Sequence, residues 1–284
     1  MTNYIFDDFE EVEESIKKLA PKTIYKYRED WNNVYHKELI TKQSLWFTAP
    51  RNLNDPYDIR TPVRFDFSEI NHPIFFQKLQ AIHKADNPNV AFTDSDIRVI
   101  CENKLDQIKQ DPKSYFEKNY HDIRNGEIYD RVGLFSCTTD ALNETMWAHY
   151  GNNNAGFVVG FNTVELARNL QYSIGPVNYS DEVPLYSFIH PKMDADFGTF
   201  FLKSKKWHYE QEFRFFTIND DSTFHRAKKY SIDCVTEFLL GISFPVDKKA
   251  EFICEVRKLF SKEIPVYQVK TKVSGFGLEK NLIA

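Results

Sequence analysis

Apolar positions recur along the chain at two periods, and the switches between them mark the elements. Phe9, Val12, Ile16 and Leu19 stand at helical spacing between acidic residues and Pro21, which predicts a short amphipathic helix over residues 8–20. Thr23-Ile24-Tyr25-Lys26-Tyr27-Arg28 alternates at the strand period. Ile24, Lys26 and Arg28 then share one face, Tyr25 and Tyr27 the other. Residues 31–43 read as helix, and Ser44-Leu45-Trp46-Phe47-Thr48 as a second short strand. Ala49 to Asp58 is loop chemistry: Asn54-Asp55-Pro56 favours a turn because the short polar side chains bond nearby backbone and proline fixes φ. Such a stiff polar loop is either a well-capped turn or a wall of a site.

Residues 69–125 carry Ile74, Phe75, Leu79, Ile82, Ile97, Ile100, Leu105 and Ile108 at spacings that fit two or three helices. They form a helical insertion between two sheet-forming regions, with a packing layer, a lid and a partner surface all open as its role. Strand patterning returns at Val132–Thr139, which turns polar at its end, and a helix is predicted over Asn143–Tyr150. Gly156–Phe161 reads as a buried strand, Thr163–Leu170 as helix and Val177–Tyr179 as strand. Residues 190–206 read as a helix ending in lysines. Val235–Gly241 is strand, Lys248–Ser261 helix and Pro265–Lys270 a final strand. The mixed order, without repeat or low-complexity linker, predicts one α+β domain over residues 1–284 with a largely antiparallel sheet.

Trp207-His208-Tyr209-Glu210-Gln211-Glu212-Phe213-Arg214-Phe215-Phe216 is the stretch with the most unusual pattern. Read as a strand, it puts Glu210, Glu212 and Arg214 on one face amid aromatics. Charges there are costly unless paired or wet, so the stretch is either a buried ion-pair cluster or the wall of an active site. Arg28 ends one strand, and Ser136 and Thr138, two apart, end another. An arginine holds a pyrophosphate by bidentate hydrogen bonds, hydroxyls orient a ribose, and a carboxylate stabilises the oxocarbenium formed when a glycosidic bond breaks.

Composition narrows the choices. The chain has 284 residues, 42% hydrophobic and 27% charged, with a net charge of −5 and a pI near 5.9, which is globular and not the balance of an electrostatic nucleic-acid binder. Lys203, Lys205 and Lys206 could still form a local basic patch. Ten glycines make neither a GxGxxG nor a phosphate-binding loop of the Walker type, against a Rossmann or P-loop site. The eight histidines and four cysteines show no zinc spacing, so no metal is expected. Cys101, Cys137, Cys234 and Cys254 read as reduced thiols, with Cys137 a packed thiol rather than a nucleophile. No signal-like or membrane-length apolar run is present, and a cytoplasmic location is expected.

Two family resemblances rest on these residues. Tyr27-Arg28, Ser136-Cys137-Thr138 and Glu210-Gln211-Glu212 resemble, in order, the three motifs of arginine–serine–glutamate ADP-ribosyltransferases, although the serine motif of that family usually reads Ser-Thr-Ser. The resemblance implies a split sheet that binds NAD as substrate. Arg28 would contact a phosphate, and Ser136 would support the nicotinamide ribose and the catalytic carboxylate. Glu212 would be catalytic, with Glu210 activating the acceptor. Tyr27, Asn54, Thr138 and His149 complete the expected cofactor-binding set; Trp147, His149 and Tyr150 also fit a helix packed under a loop. Over most of the chain, Tyr25–Arg28, Leu45–Thr48, Asn54–Asp58, Met146–Tyr150 with Gly156-Phe157, and Trp207–Arg214 resemble the bacterial domain of unknown function 2971. Some members of that family are linked to phage defence. Together these imply a toxin-like transferase acting on a protein or nucleic-acid acceptor, with an antitoxin protein as a further candidate partner. A non-enzymatic partner-binding module and a hydrolase of NAD or another nucleotide remain alternatives.

Overall fold

The computed structural model describes residues 13–14, 16–18, 20–123, 131–170, 173–189, 200–218, 225–260 and 263–284. Side-chain caps set where helices begin. After strand β1 (Thr23–Arg28), the Asn33 side chain accepts from the Tyr35 and His36 amides and opens α1 (Val34–Thr41). Strands β2 (Ser44–Trp46) and β3 (Arg64–Phe65) follow. Pro73 opens α2 (Pro73–Asp86), a Thr93–Asp96 capping box opens α3 (Asp94–Gln110), and Pro112 begins α4 (Pro112–Ile123). The expected insertion is thus three helices. They bury an apolar cluster of their own, in which Phe75, Leu79, Ile97 and Phe116 meet Ile189 from the returning chain. Glu69 ties the two together, accepting from the Ser187 hydroxyl at 2.5 Å and the Phe188 amide at 2.7 Å.

Beyond the insertion come β4 (Val132–Thr138), α5 (Glu144–Tyr150), β5 (Phe157–Asn162) and α6 (Thr163–Leu170). Four short strands follow: β6 (Ser173–Pro176), β7 (Asn178–Tyr179), β8 (Leu185–Tyr186) and β9 (Leu202–Lys203). The chain ends with β10 (Glu212–Ile218), β11 (Ala227–Lys229), β12 (Val235–Leu240), α7 (Val246–Leu259), β13 (Val266–Thr271) and β14 (Leu278–Leu282).

The fold is α+β, built on an eight-stranded sheet in the order β14-β13-β12-β5-β1-β4-β10-β6. Neighbours run antiparallel except β12 and β13. The main apolar cluster joins Ile24, Phe135, Phe161 and Phe215 to residues of α1, α6 and α7. A second cluster packs Tyr27 and Val158 against Trp147 of α5. Alternation along β1 is therefore used as read, with Ile24 in one cluster and Tyr27 in the other.

One junction differs from the rest. Strand β1 pairs with β5 along its whole length, Thr23↔Asn162 to Arg28↔Phe157. Strand β4 pairs with β10 from Thr138↔Glu212 to Val132↔Ile218. Yet β1 and β4 meet at one register pair, Tyr25↔Thr138, and part on the Arg28 side of it.

The structure corrects several expected elements. Trp207–Phe216 is not one strand: Lys205–Glu210 is a 3₁₀ turn capped by Ser204, Gln211 turns left-handed at φ 41°, and the strand begins at Glu212. Glu210 therefore does not share a strand face with Glu212 and Arg214. Of the helix expected over 190–206, residues 190–199 lie outside the described residues; Phe200 is helical, and residues 202–206 are strand β9 and the start of that turn. Pro265–Lys270 is not the last strand, because the polar Leu278-Glu279-Lys280-Asn281-Leu282 pairs on its edge as β14. In the expected N-terminal helix, residues 13–14 and 16–18 are helical, while Phe9, Val12 and Leu19 lie outside the described residues.

Candidate active site

The parting of β1 from β4 opens a cavity of about 490 Å³, within the size range of small-molecule sites. Arg28, Tyr27, Asn54, Ser136, Thr138, His149, Glu210 and Glu212 all line it. They come from β1, the Pro50–Asp58 loop, β4, α5, the 3₁₀ turn and the start of β10, so the fold brings together segments far apart in sequence. No described residue of the 69–125 insertion lines this cavity.

Two of the eight are held mainly by packing. The Tyr27 ring, 5% exposed, sits edge-on to Trp147 at 5.1 Å, and Thr138 accepts from the Asp140 amide at the strand end. His149 is exposed, its Nδ1 3.0 Å from the Tyr209 hydroxyl. Gly156 lets the loop after α5 close on β1, since a Cβ there would lie 2.1 Å from the Arg28 carbonyl oxygen.

The acidic wall is a buried network. Arg214 holds Asp58 with two bonds of 2.9 and 3.0 Å and Glu212 with two of 2.8 Å. Lys203 lies 2.5 Å from Glu210 and 3.4 Å from both Glu212 and Asp58. Three carboxylates thus share two cations. Tyr150 donates to the other oxygen of Glu210 and accepts from Asn54 at 2.7 Å. Burial alone would raise the pKa of Glu212, but Arg214, Lys203 and a hydrogen bond from Ser136 outweigh it and hold the carboxyl down at about 2. Glu210 is shifted the other way: its burial and the nearby Glu212 raise it against the pull of Lys203. The two acids therefore differ in proton affinity although they share a lysine.

The facing wall is cationic. Lys26 donates to the Ser136 carbonyl at 2.6 Å, reaching across the gap between the strands. Burial, then the neighbouring Arg28, lowers its pKa to about 8. Arg28 donates to its neighbour's carbonyl at 3.2 Å, its buried Nε has no hydrogen-bond partner among the described residues, and burial lowers its pKa to about 10. Among the described residues neither cation has a carboxylate within ion-pair distance.

Sequence reasoning did not name Lys26, Asp58, Lys203 or Tyr150 as site residues. For Lys26 the signal was available, since strand alternation puts it on the face of Arg28. Lys203 is not part of a basic surface patch: it is 5% exposed and enclosed by acids, while Lys205 and Lys206 are exposed. Burial raises the Cys137 thiol to about 12, as befits a packed cysteine. Among the described residues, no group of three or more His, Cys, Asp or Glu side chains could hold a metal ion, and no helix is long and apolar enough to cross a membrane.

Over residues 146–215, from α5 into β10, the chain matches the model of a family described as protein of unknown function, DUF2971. That segment contains Met146–Tyr150, Gly156-Phe157 and the Glu210–Arg214 stretch, and over it the chain is similar to that family. No curated protein and no solved structure matches the chain.

Proposed function

We propose that this chain is an NAD-dependent mono-ADP-ribosyltransferase that binds its dinucleotide across the gap between β1 and β4. The observation that carries the reading is the charge layout of one cavity, with Arg28 and Lys26 on one wall and Glu210 and Glu212 on the other. NAD has the matching polarity: an anionic pyrophosphate, and a cationic nicotinamide whose departure leaves positive charge on the ribose. In this reading the parted sheet is an ADP-ribosyltransferase-like split sheet, and Arg28 holds a phosphate.

The two acids suit different tasks. Glu212, kept ionised, stabilises the oxocarbenium as the C1′–N bond breaks and nicotinamide leaves with the electron pair. Ser136 orients that carboxylate. Glu210, with the higher proton affinity, takes the proton from the acceptor nucleophile as it bonds to C1′. The acceptor is a protein or nucleic acid met in the cytoplasm. A toxin-like or phage-defence role, with an antitoxin as partner, belongs to the same proposal.

A second reading has its own observation. Glu212 is already engaged by Arg214, Lys203 and Ser136, an arrangement that also suits a purely structural network in a nucleotide-binding module. Incubation with NAD labelled in its adenylate half, with and without cell extract as acceptor, separates the readings. Label transfer by the wild type, lost in Glu210→Gln and Glu212→Gln variants that keep their circular dichroism, supports the transferase. Nicotinamide release without an acceptor points to a glycohydrolase, and an absence of both leaves the binding module.

A further inference from the structure

The wall opposite the two glutamates contains one more cation than the motif that points to it. A lysine on a strand face inside the fold ordinarily pairs with a carboxylate, because an unpaired buried charge is costly. Lys203 does so, with three acids. Lys26 does not. Its amine spans the gap to the Ser136 carbonyl and lies 5.1 Å above the Phe135 ring, with Arg28 beside it on the same strand face. The backbone carbonyl it reaches stands where β4 has already left β1, so the lysine fills a place that a ladder hydrogen bond would otherwise take. Arg28 adds a buried Nε with no hydrogen-bond partner among the described residues. Two cations, one orphaned donor and one amine held by a single neutral oxygen therefore line the same cavity.

From this we infer that Lys26 is a second phosphate-binding residue, which with Arg28 makes the cavity selective for a ligand carrying a pyrophosphate rather than a single phosphate. Two adjacent cations without carboxylate partners match two adjacent anionic groups. Arg28 presents a planar fork to one phosphate, and the flexible amine of Lys26 leaves the Ser136 carbonyl for the other. The depressed proton affinity of the lysine fits a charge that awaits its counter-ion. This rests on the nucleotide reading of the cavity, but it concerns binding alone and requires no bond cleavage.

Calorimetric titration of the full chain with ADP, AMP and adenosine at pH 7 tests it. The wild type is expected to bind ADP about tenfold or more tighter than AMP, the scale of one charged hydrogen bond. Lys26→Met should erase most of that ratio while leaving adenosine unchanged, and Lys26→Arg should restore it. A wild type that binds ADP no tighter than AMP overturns the inference without any variant. So does a Lys26→Met protein that keeps the wild-type preference, or one that loses ADP and adenosine equally. ADP selectivity without nicotinamide release from NAD would sink the transferase and leave the role of Lys26 standing.

Discussion

Lys26 brings an unpaired charge into a protein that would be more stable without it. Lys26→Met is accordingly expected to raise the unfolding free energy by about 1 kcal/mol at pH 7 while weakening ADP binding, a trade common at functional sites. Thermal unfolding read beside calorimetry checks both halves. The sign with pH follows from proton counting. With a folded pKa of about 8, below the ordinary lysine value, Lys26 loses its proton in the native state first, so the unfolded chain binds more protons above pH 8. Wild-type stability from this group rises with pH through that window, and the advantage of Lys26→Met should shrink by pH 10. Arg28 pushes the amine in this direction, while Cys137, Glu212 and Glu210 oppose it. Arg214 is the opposite case. Its guanidinium, 0% exposed, joins Asp58 to Glu212, and Arg214→Met would leave Lys203 alone among three acids. A loss of ~3–5 kcal/mol in denaturant unfolding is expected. The two arginines look alike in sequence, and only the pairing of distant segments makes one a bridge and the other an open cation.

At the scale of elements, periodicity identified most helices and strands because their apolar faces are buried where the pattern puts them. It failed at the 3₁₀ turn over Lys205–Glu210, where Trp207, Tyr209 and the alternating acids imitate a strand and the left-handed Gln211 leaves no local signature. The convergence of Arg28, Ser136 and Glu212 was legible only as motif order; the register that places them around one gap is a tertiary property. The loop after α5 had its signal in plain view. Asn152, Asn153 and Asn154 take φ values of 49°, 51° and 69°, a left-handed turn that asparagine tolerates and branched residues do not. Asn153→Val should cost ~1–2 kcal/mol, with Asn153→Gly costing far less, as chemical denaturation would show. Downstream, Gly156→Ala has no room against the Arg28 carbonyl. That variant should lose ADP affinity even if it keeps its secondary structure, because the displaced strand end carries the arginine.

For the molecule as a whole, the helical insertion and the cavity draw on different apolar clusters. Phe116, ringed by Phe65, Phe67, Phe75 and Phe188, is central to the insertion's cluster. Phe116→Ala should cost ~3–5 kcal/mol there, and hydrogen exchange should show the loss confined to α2, α3 and α4 with ADP binding retained. The sheet itself divides along another line. On one side of the β1–β4 junction lie Lys26 and Arg28; on the other lie Ser136, Glu212 and Arg214. β1 pairs with β5, and β4 with β10, along their lengths, while the backbone pairing of β1 with β4 is one register pair, supplemented by the amine of a lysine and the hydroxyl of Tyr27. The cavity is thus also the place where the sheet's backbone pairing is thinnest and the apolar cluster beneath it carries the join.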